Sequence, residues 1–288
     1  MYRFSILVLS LVLAFPAETV TPVRAEGAPI ATSRAEVTLL LEALHIDETL
    51  DTLRREGLAY GASIEEDLFP GRGGNRWAEL VASIYAPERL KQDFLAGFAP
   101  AFLRMGAPDR QAAQMFFAGA LGQKVVMLEN EARVAQLDEA VEDASRDRAE
   151  EMIAQEDPRV ALIDRFVEAN DLTEANVVGA LNANIAFYAG LNEGRAFGSP
   201  LSQEDILKDV TSQADDVRQE TEDWLYSYLL MAYQPLTDAE LEHYTAFTLT
   251  PAGQGLNRAL FAAYDGLFEG LSHDLGRNAA RFLSGQDL

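Results

Sequence analysis

The chain has no cysteine, three histidines and few lysines (Lys91, Lys124 and Lys208), and 46 acidic residues stand against 23 basic ones. Without cysteine there is no disulfide, no thiolate metal site, no cysteine nucleophile and no thiol for lipid attachment. The net charge of −23 sets the surface against nucleic acid and anionic headgroups. The three histidines, His45, His243 and His273, share no helix face and sit in no HExxH pattern, so neither a metal site nor a cofactor is expected. Sustained alternation of apolar and polar residues, the mark of a half-buried strand, is also missing.

Two more absences bear on chemistry. No G-x-S-x-G elbow and no S-x-x-K set occurs. Glu65-Glu66-Asp67 and Asp215-Asp216 are dense in carboxylates but lack calcium-loop spacing and its central glycine. A hydrolase working with two carboxylates across a cleft stays open, because with so many acids no pair stands out.

The N-terminal residues are informative. Arg3 precedes an uncharged apolar run from Phe4 to Phe15, Pro16 breaks it, and Val23-Arg24-Ala25 ends the segment. This is the pattern of a secretory leader cut after Ala25. The run is shorter than the roughly 20 residues of a membrane-spanning helix. No transmembrane segment is expected in the mature chain. With 20 arginines, few lysines and abundant alanine, the expected compartment is the bacterial periplasm.

The remainder reads as helix, an all-α antiparallel bundle or array. Apolar residues recur at three- and four-residue steps, as in Leu90, Phe94, Phe98 and Phe102 after Pro87. Ser33-Arg34-Ala35-Glu36 has capping-box spacing. Asp47 is placed to start a helix, and Ser202 to start one long helix running to about Ala232. Glu129 to Glu156 reads as one charged helix with Met127, Val134 and Val141 on its apolar side. A boundary at Asp157-Pro158 divides the chain into a half spanning 26–156 and a half spanning 157–288. Phe116, Gly122 and Gln123 fall at the same offset as Phe247, Gly253 and Gln254, which points to two related halves. The alternative is a common helix-turn-helix pattern arising twice.

The best local signal is Leu236-Thr237-Asp238-Ala239-Glu240-Leu241. Thr237 and Glu240 are spaced to cap each other, and Leu236 and Leu241 to staple across the cap. Tyr244 and Phe247 follow. Thr250-Pro251-Ala252-Gly253-Gln254 then ends one helix and starts the next, with Pro251 in the first turn and Gly253 allowing close approach. This stretch resembles the bacterial domain of unknown function 2059 family, over roughly Glu222 to Phe268. The resemblance implies an exported, all-helical protein without an assigned reaction. In the N-terminal half Gly119 and Ala120 stand where the pattern has threonine and proline, so that half would be a degenerate copy.

Thr237, Glu240, Phe247, Pro251, Gly253 and Gln254 are accordingly expected to form a structural clasp, with no catalytic residue named. Aromatic residues beyond the core, around Trp224 to Tyr233 and Tyr264 to Phe268, could line a groove. The expected function is a non-catalytic envelope binding or accessory protein whose partner is an unidentified protein or an apolar ligand. The alternatives are a periplasmic hydrolase with an unrecognised carboxylate pair, and a carrier of a small apolar ligand in a pocket between the halves.

Overall fold

A computed structural model describes residues 30–285; the expected leader and its expected cleavage point lie outside them. The described residues form thirteen helices and no strand. In chain order the first six are α1 (Ile30–Ala43), α2 (Ile46–Leu68), α3 (Gly74–Ile84), α4 (Pro87–Leu103), α5 (Ala107–Ala118) and α6 (Ala120–Ala135). A connector, α7 (Glu139–Ala154), leads into α8 (Pro158–Ala169), α9 (Leu172–Glu193), α10 (Gln203–Thr211), α11 (Ala214–Ala232), α12 (Asp238–Thr248) and α13 (Pro251–Leu283).

The two sets of six repeat one arrangement. α1 packs on α2, α4 and α5 as α8 packs on α9, α11 and α12, and α2 touches α3, α4 and α6 as α9 touches α10, α11 and α13. The corner between α1 and α2 is made by His45 at φ 51°, and the corner between α8 and α9 by Asp171 at φ 48°. Leu90, Phe94, Phe98 and Phe102 are fully buried on α4; their counterparts Thr221, Leu225, Leu229 and Tyr233 are fully buried along α11 and its cap. The same four positions face the core in each half, although none keeps its residue.

The halves exchange their last helices. α13 lies along α4 and α5, while α6 lies along α11 and α12. The matching residues Phe116 and Phe247 meet between the halves, stacked with centroids 3.8 Å apart and planes 6° from parallel. One apolar core runs from Val37 to Ala280 through both halves. Truncating a ring at its centre, such as Phe98, should cost about 3–5 kcal/mol.

Several local expectations change. Glu129 to Glu156 is not one helix: the chain turns after Ala135, and Asp138 caps α7 by accepting from the Ala140 N–H. Met127 and Val134, assigned to the apolar side, are 46% and 42% exposed. The buried side of α6 instead carries Val125, Val126, Ala132 and Arg133, because it must meet the polar groups of α2 and α11. Ser202 does cap a helix, in a box with Asp205, but the run breaks between α10 and α11 at Ser212-Gln213. Asp47 lies within the first turn of α2 and His45 is its N-cap. Ser33 falls inside α1, and Glu36 pairs with Arg110 at 2.7 Å instead of capping.

The Thr237 to Gln254 segment does form the expected caps. Glu240 N–H donates to Thr237 Oγ1 at 3.2 Å and Thr237 N–H donates to Glu240 Oε2 at 2.8 Å. Leu236 and Leu241 are buried beside it. Thr250 Oγ1 accepts from Gly253 N–H at 3.1 Å, with Pro251 in the first turn. At Gly253 a Cβ would fall on the Phe247 carbonyl oxygen and 2.6 Å from Thr248 Cα; at Gly122 it would fall on the Phe116 carbonyl oxygen and 2.6 Å from Phe117 Cα. Both glycines let the last helix of their half cross the turn before it backbone to backbone. Gly253→Ala and Gly122→Ala should each destabilise by about 1–3 kcal/mol through overpacking. Thr237→Ala should cost about 0.5–2 kcal/mol through loss of the cap. Urea titrations check this; wild-type midpoints for both glycine variants would contradict it.

Candidate functional site

The clasp has a defined electrostatic neighbour. Lys124 Nζ reaches both oxygens of Glu240 at 2.8 Å, tying α6 to α12 across the halves. That bond, with those from Thr237, pulls the Glu240 carboxyl down to about 2. Phe247 lies in the stack with Phe116. Gln254 has only a main-chain bond, from its N–H to the Thr250 carbonyl at 2.9 Å. Its counterpart Gln123 is busier, donating to the Ala43 carbonyl at 2.8 Å and the Phe117 carbonyl at 2.6 Å. In the second half Asn257 does the equivalent work, donating to Asn170 at 2.9 Å. The Lys124 bonds and the ring stack join α6 and α5 to α12.

A buried polar seam runs beneath them. Arg133 of α6 grips Glu56 of α2 with two bonds of 2.9 and 2.8 Å. Burial alone would lower the guanidinium pKa, but the Glu56 carboxylate more than offsets this and raises it. Removing one partner of such a pair leaves an uncompensated charge, a loss of about 3–5 kcal/mol. One turn away Glu129 accepts from Tyr233 at 2.6 Å and from Tyr244 at 3.4 Å, and its carbonyl accepts from Tyr228 at 3.0 Å. Burial pushes the Glu129 carboxyl up to about 7, against the opposing pull of the two phenols.

At one end of this seam a cleft opens between α9 and α13, closed on one side by Tyr60 of α2 and Tyr85 after α3. The space inside it open to water-sized groups is about 60 Å³, room for a small group and not for a large ligand. Local chemistry explains its walls. Gly57 has no side chain, and the Tyr85 ring occupies the place of its Cβ. Phe261, Tyr264 and Phe268 project from one face of α13, at helical spacing. Tyr264 packs edge-on against Phe94 at 5.0 Å, which fixes the ring.

The cleft has a buried polar group without a hydrogen-bond partner among the described residues. The Tyr264 hydroxyl is buried and makes no hydrogen bond among the described residues, and burial raises its pKa. Asn184 is 9% exposed and lines the cleft. Asn176 uses its amide nitrogen on the Leu172 carbonyl at 2.7 Å, so its oxygen stays available. Asp265 is the one carboxylate in the lining; burial, with help from Glu269, pushes it up to about 6.

The histidines lie elsewhere. His45 is within 3.2 Å of Gln123 Oε1, His273 is within 3.1 Å of Glu193, and His243 is exposed. Among the described residues no group of three His, Asp or Glu side chains is placed to hold a metal ion, and no helix is long and apolar enough to cross a membrane. A second hollow, between α8 and α12, is rimmed by Leu162, Leu241 and Leu249.

Sequence reasoning placed aromatic residues of α13 near a groove but missed Asp265, Asn176, Asn184, Tyr60 and Tyr85. A signal did exist: α9 is apolar on most sides yet carries Asn176, Asn182 and Asn184. Amides in a helix that must be buried need partners or a cavity. No family model, curated protein or solved structure matches the chain.

Glu129 makes the joint between the halves pH-sensitive. Its folded pKa lies above the ordinary glutamate value of 4.5, so the folded state holds the extra proton. Its contribution is complete below about pH 4.5 and is lost as pH rises through about 7. Glu129→Gln, which keeps the shape, should remove a loss of order 1–3 kcal/mol between about pH 5 and pH 8. Urea midpoints of wild type and variant at both pH values measure it. Equal pH dependence in the two proteins would contradict the assignment.

Proposed function

We propose that the protein is an exported, non-catalytic binding protein of the periplasm, which carries a small ligand in the cleft between α9 and α13. One observation carries the reading: an aromatic-walled cleft whose lining includes a buried tyrosine hydroxyl, that of Tyr264, with no hydrogen-bond partner among the described residues. Unpaired polar groups in an enclosed site are costly unless something fills it. A ligand with an apolar body and one or two polar atoms meets both requirements.

Three further points support the proposal. Paired carboxylates in a cleft would favour the hydrolase alternative, and Asp265 is the one carboxylate lining this one. The Phe4 to Phe15 run and Val23-Arg24-Ala25 support export through a cleavable leader. The resemblance of Glu222 to Phe268 to the domain of unknown function 2059 family supports the same compartment and an envelope role.

The test is to fill the cleft. Ala183 lines it, and Ala183→Trp should occupy its space. Neutral iodobenzene, followed by isothermal titration, should bind wild-type protein and lose at least about tenfold in affinity with the variant, since a filled pocket removes the contacts that provide the affinity. Circular dichroism should show the same helix content in both. Undiminished iodobenzene binding by a folded Ala183→Trp protein would contradict the proposal.

A further inference from the structure

The charges around the cleft narrow the class of ligand. Its lining contains no lysine, arginine or histidine. Asp265 has no basic partner among the described residues. Glu269, one turn further along α13, adds a second negative charge nearby. At Gly179 on the facing helix a Cβ would sit 3.2 Å from Asp265 Oδ1, so the glycine leaves room beside the carboxylate. The same lining holds the rings of Tyr60, Phe261, Tyr264 and Phe268.

We propose that the cleft binds an organic ammonium cation, with Asp265 as its counter-charge and these rings as its walls. The inference rests on the reading of the cleft as a ligand site. The reasoning is one of complementarity. A half-buried carboxylate without a cation is less favourably placed than one in open water, and a bound cation relieves it. The faces of aromatic rings carry negative potential and attract ammonium groups, most strongly where water is excluded. Fatty acids, phosphates and other anions would meet Asp265 and Glu269 with no basic group to offset them. A neutral molecule gains only from burying its apolar surface, whereas a cation gains from the carboxylate as well. The tyrosine hydroxyl and the asparagine amides can then serve a polar substituent on the same molecule.

The experiment is isothermal titration of the full chain with choline chloride and with its neutral carbon isostere, 3,3-dimethyl-1-butanol. Choline should bind at least about tenfold more tightly than the isostere, because only the cation gains from the carboxylate and the rings. Asp265→Asn should weaken choline by a similar factor, leave the isostere unchanged, and melt no lower than wild type. Equal binding of the two probes, choline binding indifferent to Asp265→Asn, or no heat from choline at millimolar concentration would each overturn the inference. The failures are separable. If iodobenzene is still lost in Ala183→Trp while choline fails, the cleft stands as a ligand site and only the cation assignment falls.

Discussion

The fold turns on one contact, the crossing of α9 and α13. At Gly276 a Cβ would fall on the Phe187 carbonyl oxygen, and at Gly190 on the His273 carbonyl oxygen. The two helices therefore touch backbone to backbone, which no other residue type would permit. Gly194 continues the contact, where a Cβ would lie on Ala280 Cβ and 2.5 Å from the Arg277 carbonyl oxygen. The order of these contacts shows that α9 and α13 run parallel. α13 has 33 residues and spans both halves, so its direction also sets where α4 and α5 can pack. Gly97 answers the same need on α4, where a Cβ would lie 2.6 Å from the Ala262 carbonyl oxygen. Between Ala175 and Phe187 on one helix and Phe261 and Ser272 on the other lies the cleft. A tight crossing at one end of a helix pair and a hollow at the other are two consequences of one placement.

The second constraint is the polar seam through the joint. Apolar surfaces between two such similar halves would tolerate small slips, because dispersion contacts are weakly directional. The bidentate Arg133–Glu56 pair and the phenols on Glu129 are directional. The bonds from Tyr233 at the end of α11 and Tyr244 of α12 to Glu129 cross the joint, while the Arg133–Glu56 pair fixes α6 on α2 within one half. The seam also breaks the symmetry of the repeat. Arg133 on α6 occupies the position that Tyr264 occupies on α13, and Glu129 the position of Leu260. The half in which arginine gives way to tyrosine is the one with a cleft and an unpaired hydroxyl.

Helix content was legible because its signals are local. The Thr237–Glu240 cap, the Thr250-Pro251 start and the α4 stripe each depend on spacing within one or two turns. Breaks without proline or glycine were harder to read, as at Ser212-Gln213 and at Gln136 to Asp138, where solvent-facing turns interrupt an otherwise helical composition. The matching halves showed at Phe116 and Phe247, Gly122 and Gly253, where backbone crossings demand particular residues. Elsewhere the match lies in burial and not in residue type, as Leu90 against Thr221 shows. The site was not legible. Asp265 is one acid among 46, and only the fold reveals that it faces rings and lacks a cation. Tyr60 and Tyr85 reach the cleft through a packing of the halves that no local pattern records.

The most direct test of a cleft built to hold a ligand is to see where a small aromatic molecule settles. Crystals of the full chain soaked with iodobenzene would report this by the anomalous scattering of iodine. The account predicts the iodine peak between α9 and α13, against Asn184 and Phe268. Iodine in the hollow between α8 and α12 with none in the cleft would contradict it.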